Sequence, residues 1–550
     1  MAKPRFLFLF TGTLALFVYV ATLAPTITWR NDGVDSGDLA AAVAVGGVPH
    51  PPGYPTYLIL GEVFKLLPFG DVAYRLNLLS AACAALAVAT MALVIRHILS
   101  TTESIAEAAL DQVKKSEDTD RTHSRIWLYA ASASLMLAFS STFWSQAVIT
   151  EVYALNALLV ATSIYGALRV QPANERWLVP VLAGLLGLSL GNHLSILLIL
   201  PMLIWILRAR WRWQLVVASS LAFCVGLCVY AIIPIRAATS APINWGVATT
   251  LPSLWWLVSA EPYQPLFMAL PWKFVPVRIA AELRLLGEAF MGWGFLLGLL
   301  GLYSLRLHNR PLAYGSLTSF LLISGYAIGY DTTDSYLYLM PALLVFAVWV
   351  GWGLNQLGRA VQRFVPSRHS SRYAIVAGVM LPPLLSLALN LPHQNISQDN
   401  EALAYAKQSL NSVAPDAVIV TQTDPETFAL WYARYGLDMR SDTAVVSSNL
   451  LPYAWYRDTL RRTHPHLHLS DQAGQPLTSL SALIEMNAFD SPLYLGTAQP
   501  SEVEGFRLEP VGQLWRVVEF EAASTGAAPT AQMPALTSPP TATPSSFESP

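Results

Sequence analysis

Residues 29–55 read WRNDGVDSGDLAAAVAVGGVPHPPGYP and follow directly on the first long apolar segment. The stretch sets Asp32, Asp35 and Asp38 within seven residues and places His50 in a turn rich in proline and glycine. Only 12% of the chain is charged, so three carboxylates at the exit of an apolar run are a concentrated use of charge. Asp35 and Asp38 stand three apart, and a helix over Ser36–Val45 would put them on one face. A solvated acidic loop is the plainer reading of the same residues. The placement of the other polar clusters decides between the two.

With 550 residues, of which 54% are hydrophobic, the chain reads as a polytopic α-helical membrane protein, since a soluble domain carries about twice this share of charge. Net charge of −2 says nothing about partners, and no basic stripe points to nucleic acid. Cys83, Cys224 and Cys228 all lie in apolar segments and read as small packing residues. Lys3 and Arg5 before the run Phe6–Leu23 leave a cleaved signal peptide open, but the run is long enough for a retained first helix.

Segments of about 20 apolar residues span a bilayer, and loops rich in Lys and Arg stay on the cytoplasmic side. With the N-terminus inside, a first helix over 6–24 delivers the acidic stretch to the outer face. The segment 54–67 is short enough to lie at the interface. Further spans are expected over 75–98, 126–143, 152–169, 214–234, 284–305, 312–329, 336–357 and 373–390, with a charged inner linker over 99–125. The run 177–207 is too long for one span and reads as two short helices meeting at Gly191-Asn192-His193. The sum is about eleven spans. With this parity the polar clusters Asp35/Asp38/His50, Glu151, Asn192/His193, Arg236 and Asp331/Asp334 all fall on the outer side. Surface accidents would scatter over both faces, so a shared external site is the better reading.

From His393 onward the composition is that of a soluble domain, with strands expected over 417–422 and 443–447 and a helix over 425–435. The chain therefore divides into a membrane domain (1–390), a small extracytoplasmic α/β domain (391–520) and a Pro/Ser/Thr/Ala-rich tail (521–550) expected to be disordered.

Ionisable groups at membrane depth are costly and usually functional. Carboxylates on one wall of an outer cavity and Arg or His on another suit glycosyl transfer from a polyprenyl-phosphate sugar to a hydroxyl. The phosphate leaves without an acid, so one general base suffices, whereas a hydrolase needs a second carboxyl group to protonate its leaving oxygen. Asp35 and Asp38 are the candidate bases. Arg236, an outer arginine that runs against the positive-inside bias, can hold phosphate oxygens in a fork. His50, Asn192, His193, Asn244, Asp334 and Tyr336 complete the candidate donor and substrate contacts. Glu151 can order the aspartates or bind a metal, so a divalent ion is a candidate cofactor.

The ordered motifs APTITWRNDGVDSGDL, GGVPHPPGYPTYLILGEVF, SQAVITEVYALNALLVA, GLSLGNHLSILL, IPIRAATSAPINWG and DTTDSYLYLMPALLVFAVWVGWG resemble a family once known only as a domain of unknown function. TQTDPETFALWYARYGLDMRSDTAVVSSNLL in the soluble part continues the resemblance, which covers about residues 20–460. That family is treated as a glycosyltransferase family of the GT-C superfamily and includes the transmembrane protein O-mannosyltransferases. The resemblance implies a GT-C fold, a catalytic carboxylate in the first external loop, a lipid-phosphate donor, mannose, and a protein Ser/Thr acceptor. Family members often read Asp-Ser-Gly-Glu where this chain has Asp35-Ser36-Gly37-Asp38, which leaves Asp35 the safer base. The competing readings are a transporter or flippase of lipid-linked sugars, a glycosyltransferase acting on a lipid or envelope glycan, and a non-catalytic scaffold. Location follows the host: the plasma (inner) membrane in a prokaryote, the endoplasmic reticulum in a eukaryote.

Overall fold

The computed structural model describes residues 4–109, 117–210, 212–364, 368–496 and 506–519. The tail 521–550 and the linker residues Lys114 and Lys115 lie outside the described residues. In hydrocarbon every backbone N–H and C=O must be paired within its own segment, so the apolar runs become helices. From the N-terminus these are α1 (Pro4–Thr22), α2 (Ser36–Val45), α3 (Pro55–Lys65), α4 (Val72–Ala109), α5 (Glu117–Phe139), α6 (Ser141–Ala147), α7 (Tyr153–Leu168), α8 (Glu175–Leu190) and α9 (Leu200–Leu207). They continue as α10 (Trp213–Leu227), α11 (Ile232–Ala237), α12 (Leu251–Val258), α13 (Val275–Ala289), α14 (Trp293–His308), α15 (Arg310–Gly329), α16 (Met340–Phe364) and α17 (Arg368–Gln394).

Among the described residues, six helical stretches are long and apolar enough to cross a membrane, and eight if two bent pairs each count as one span. The other expected spans rest on shorter pieces. Helix α7 has 16 residues, and the run 177–207 breaks at Gly191-Asn192-His193 between α8 and a short 3-10 turn leading into α9. The single span expected over 284–305 is instead the pair α13 and α14, bent by 100°. Met291 and Gly292 both take positive φ there, which no continuing helix tolerates.

Burial ranks the helices. The apolar window of residues 335–362 is 94% buried and that of 72–101 is 78% buried, so α16 and α4 form the centre. The window of 213–237 is 6% buried and faces outward. Helix α1 joins the bundle along α4, with Tyr19 donating its hydroxyl to the Ala138 carbonyl at 2.8 Å. Helices α14 and α16 touch through glycines: a Cβ on Gly353 would stand 2.1 Å from the Leu297 carbonyl oxygen, and one on Gly301 1.9 Å from that of Trp349. Small residues substitute for the missing hydrophobic drive between helices in lipid.

After α17 come α18 (Glu401–Ser412), β1 (Val418–Thr421), α19 (Asp424–Trp431), β2 (Ala444–Ser447), α20 (Ala454–Thr463), α21 (Leu480–Asn487), β3 (Leu493–Leu495), β4 (Phe506–Val511) and β5 (Leu514–Glu519). The sheet order is β2-β1-β3-β5-β4. The β1 strand runs parallel to β2 and β3, and the β4–β5 hairpin is antiparallel. All of β1, β2 and β3 is buried, as expected of short apolar strands covered on both faces.

This part sits directly on the membrane bundle. Trp29 donates its indole N–H to the Pro425 carbonyl at 3.1 Å, the Tyr432 hydroxyl accepts from the Ala73 amide at 3.0 Å, and the Ile396 amide reaches the Thr22 carbonyl at 3.1 Å. The Thr28 hydroxyl donates to Asp399.

Replacing Gly353 by alanine forces α14 and α16 apart. We expect a loss of about 1–3 kcal/mol, the usual cost of overpacking a close contact. Thermal unfolding in detergent should show Gly353→Ala melting well below Gly378→Ala, whose added methyl meets open space. Equal melting temperatures would contradict this packing.

Candidate active site

The acidic stretch is bent into shape before it becomes helical. Asn31 and Asp32 both adopt left-handed backbone conformations (φ 60° and 57°), a cost of about 1–3 kcal/mol per residue that surrounding contacts must cover. Those contacts are on hand. The Tyr336 hydroxyl donates to Asp32, Gln146 donates its side-chain N–H to the Asn31 carbonyl at 2.9 Å, and Ser36 Oγ closes the loop onto both backbone groups of Thr28. Asp35 then occupies the N-cap of α2, yet its carboxylate accepts no hydrogen bond from that helix. The capping role that most often explains such a residue is therefore not the one Asp35 fills.

The structure separates the two candidate bases. Asp38 is fully buried. Its Oδ2 accepts from the His50 amide at 2.8 Å and from His50 Nδ1 at 2.7 Å, and its Oδ1 accepts from the Trp245 indole at 3.1 Å. Asp35 lies on the other side of the same imidazole, with Oδ2 3.4 Å from His50 Nε2 and 43% of its side chain exposed. Tyr54 places its hydroxyl 3.1 Å from Nε2. His50 thus bridges a closed carboxylate and an open one.

The electrostatics follow from this arrangement. The Asp35 carboxyl keeps an open edge, but the protein packed around it strips part of its hydration and pushes it up; His50 opposes that, and Asp38, Asp424 and Asp334 reinforce it, leaving Asp35 at about 6. Burial works against charge on His50, but Asp35 and Asp38 overcome it and lift the imidazole to about 9. Near neutral pH the pair is an ionised Asp35 beside an imidazolium. Glu151 is 4% exposed. Burial, followed by the field of Asp35, raises its carboxyl, so it favours the neutral form.

A loop crossing explains how Trp245 arrives over Asp38. The Val48 amide donates to the Ile243 carbonyl at 3.0 Å and the Trp245 amide to the Val48 carbonyl at 3.1 Å, a two-residue ladder between segments far apart in sequence. Asn244 sits in that ladder, its amide N–H on the Ala237 carbonyl at 2.8 Å. Asn192 likewise donates to the Val152 carbonyl at 3.0 Å. Each asparagine keeps its side-chain oxygen buried without a partner among the described residues. His193 turns Nδ1 to Ser195, 2.8 Å from its hydroxyl and 3.2 Å from its amide, so Nε2 is the nitrogen a ligand can use. That ring lies 5.6 Å from both Tyr153 and Tyr338, and Tyr326 continues the aromatic wall at 5.1 Å from Tyr338.

Arg236 departs from the expectation that it holds phosphate. Its guanidinium is inside the protein, donating to the Gly47 carbonyl at 2.6 Å, the Ala42 carbonyl at 2.9 Å and Glu62 at 2.7 Å. These bonds satisfy the carbonyl end of α2, where a cation is favourable, and they leave no fork for a ligand. Asp334 acts on Asp35 and Glu151 through its field, and Tyr336 serves Asp32. Among the described residues no three His, Cys, Asp or Glu side chains converge as metal ligands.

Several groups at this site carried no role in the sequence reading. Asp424, in the first turn of α19, lies within electrostatic reach of His50 and Asp38. Phe428 stacks on His50 at 6.4 Å with ring planes 14° apart. Trp245 lies 6.4 Å from Phe428 and 5.7 Å from Trp455. Arg278 on α13 donates to the Ser335 hydroxyl at 2.5 Å and the Thr332 carbonyl at 2.7 Å, in the loop that carries Asp334. The available signal was faint: Asp424-Pro425 marks a helix start, and Arg278 is, with Lys273, one of two neighbouring cations in a stretch expected to lie outside.

Comparison with known proteins agrees with this architecture. Residues 35–217 match the model of the protein O-mannosyl-transferase TMEM260 N-terminal domain, and residues 402–467 match TMEM260-associated domain 2. The protein O-mannosyl-transferase TMEM260 of Mus musculus is 26% identical over 534 residues, covering 87% of this chain and 68% of the relative. That of Dictyostelium discoideum is 20% identical, covering 87% of this chain and 62% of the relative. Among solved structures, ArnT from Cupriavidus metallidurans in the apo state aligns with a TM-score of 0.52 at 12% identity, over 93% of this chain and 97% of that one. Two segments of the chain thus match TMEM260-type domain models, the chain shares its fold with ArnT, and it is an integral membrane protein similar to glycosyltransferases.

Proposed function

We propose that the chain transfers a sugar, mannose as in the names of its relatives, from a polyprenyl-phosphate donor to a protein Ser/Thr hydroxyl on the extracytoplasmic face. The observation that carries this reading is Asp35, an open carboxylate with a raised pKa, held beside an imidazole whose other nitrogen is locked by a buried carboxylate. The acceptor oxygen attacks the anomeric carbon from the face opposite the phosphate, and Asp35 takes the hydroxyl proton. The bond from carbon to phosphate oxygen breaks with its electron pair on the phosphate, and configuration inverts. A single base suffices because the phosphate leaves as an anion.

Asp38 is a positioning residue in this mechanism. It fixes His50 so that the imidazolium faces Asp35 and keeps that carboxylate ionised near neutral pH. With Arg236 committed to α2, the departing phosphate falls to His193 Nε2. The aromatic wall of Tyr153, Tyr338 and Tyr326 suits the first isoprene units of a lipid donor. The α/β domain lies over the acceptor side, with Phe428 and Trp455 beside the site as apolar platforms for a polypeptide. The basic loops of the sequence support an outward orientation of this end.

Transfer from polyprenyl-phosphate mannose to a Ser/Thr-rich peptide by the purified chain tests the reading. Asp35→Asn should lower kcat by about 10²–10⁴-fold while leaving the melting temperature unchanged. Asp38→Asn should lower the melting temperature as well, because it weakens three buried hydrogen bonds worth about 1–3 kcal/mol each when broken. An Asp35→Asn enzyme that transfers at the wild-type rate sinks the assignment. Donor binding without transfer from mannose, glucose or arabinose donors would favour a transporter.

The rate should also follow a bell in pH. A carboxyl raised to about 6 loses its base form as pH falls through 6, and an imidazolium raised to about 9 is lost as pH rises through 9. Because His50 pulls Asp35 down, His50→Gln should move the acidic limb to higher pH. A limb that stays in place would show that the two groups are not coupled.

A further inference from the structure

The end of the bundle opposite the candidate site holds a second feature that the proposed chemistry does not use. Helix α1 runs from Arg5 in its first turn to Thr22 below the acidic stretch. Helix α7 runs from Tyr153 beside Glu151 to its C-cap Arg169, about 24 Å away at 1.5 Å per residue. Helix α4 starts beside Asp71 on the site side and carries Arg96 and His97 toward the far end. There the three helices enclose an open cavity of about 480 Å³ lined by Arg5, Arg96, His97, Tyr165 and Arg169. Three guanidinium groups from three helices face one recess, and among the described residues no carboxylate pairs with any of them.

The positive-inside bias accounts for arginines at this end. It does not account for their convergence, since like charges gathered in one recess repel unless an anion sits between them. Helix α1 has 19 residues, close to the thickness of the hydrocarbon core, so Arg5 at its start lies at headgroup depth. A guanidinium prefers phosphate oxygens in a planar fork, and Tyr165 adds a hydroxyl at the wall. We propose that this cavity binds the phosphate of an anionic phospholipid headgroup, as a site separate from the one that holds Asp35.

Native mass spectrometry of the full chain in detergent tests this, counting lipids retained after incubation with phosphatidylglycerol or with phosphatidylcholine. The wild type should retain phosphatidylglycerol preferentially. The double variant Arg96→Gln/Arg169→Gln should retain about 25-fold less, roughly fivefold for each arginine removed, while sugar transfer is unchanged. Arg5→Gln alone, an exposed first-turn change that spares the fold, should cost about fivefold. Equal retention of the two lipids, or retention indifferent to all three arginines, would overturn the proposal. Displacement of the lipid by millimolar inorganic phosphate, with phosphate itself retained in its place, would assign the cavity to free phosphate and overturn the lipid reading.

Discussion

The buried carboxylate of Asp38 is the constraint on which the rest of the site depends. A carboxylate with no exposed surface is tolerated only when its lone pairs are filled. Here a backbone amide, an imidazole and an indole fill them. Those donors come from the turn at His50 and the loop at Trp245, so one side chain of α2 joins three segments that share no helix or sheet. His50 is then presented to Asp35 in one orientation only. Without that orientation Asp35 would be an ordinary carboxylate at a helix start.

Charge balance in this region has the same origin. Asp35, Asp38, Glu151, Asp334 and Asp424 act on one another's surroundings, and His50 lies among them as a cation. The carboxylates raise Asp35, Glu151 and Asp424, and the imidazolium opposes the rise at all three. The two-residue left-handed kink at Asn31 and Asp32 is what lets Asp35 come near His50 without pairing into its own helix. Local strain and an unusual acid–base pair therefore occur together, and each explains the presence of the other.

What the sequence disclosed and what it hid divide along physical lines. Hydropathy marked the apolar helical runs, and spacing put Asp35 and Asp38 on one face of a helix, but neither showed that both carboxylates reach the His50 imidazole. Spacing says nothing about exposure, so it could not assign the open carboxylate and the closed one. Arg236 shows the same limit. Its position at an outer helix end was legible, but the carbonyls of Ala42 and Gly47 that occupy it lie nearly two hundred residues earlier. Asp424, Phe428 and Trp455 join the site across about four hundred residues, through contacts to which no periodicity points. The bend at Met291-Gly292 was hidden for a different reason, because hydropathy marks a run and not the angle at which it turns.

Gly37 carries the last step of the argument. A Cβ at this position would lie 2.5 Å from the Phe428 carbonyl oxygen, so the backbone of α19 rests on the backbone of α2 within the Asp35-Ser36-Gly37-Asp38 motif itself. A glycine between the two aspartates is therefore a requirement of docking, and its conformational freedom is incidental, since its backbone is helical. The same contact seats Phe428 on His50 and brings Asp424 within reach of Asp38. An acceptor approaching Asp35 from outside must pass the face of the α/β domain. The domain that composition marks as separable is in this sense a wall of the membrane site, and the motif that holds the base also holds that wall in place.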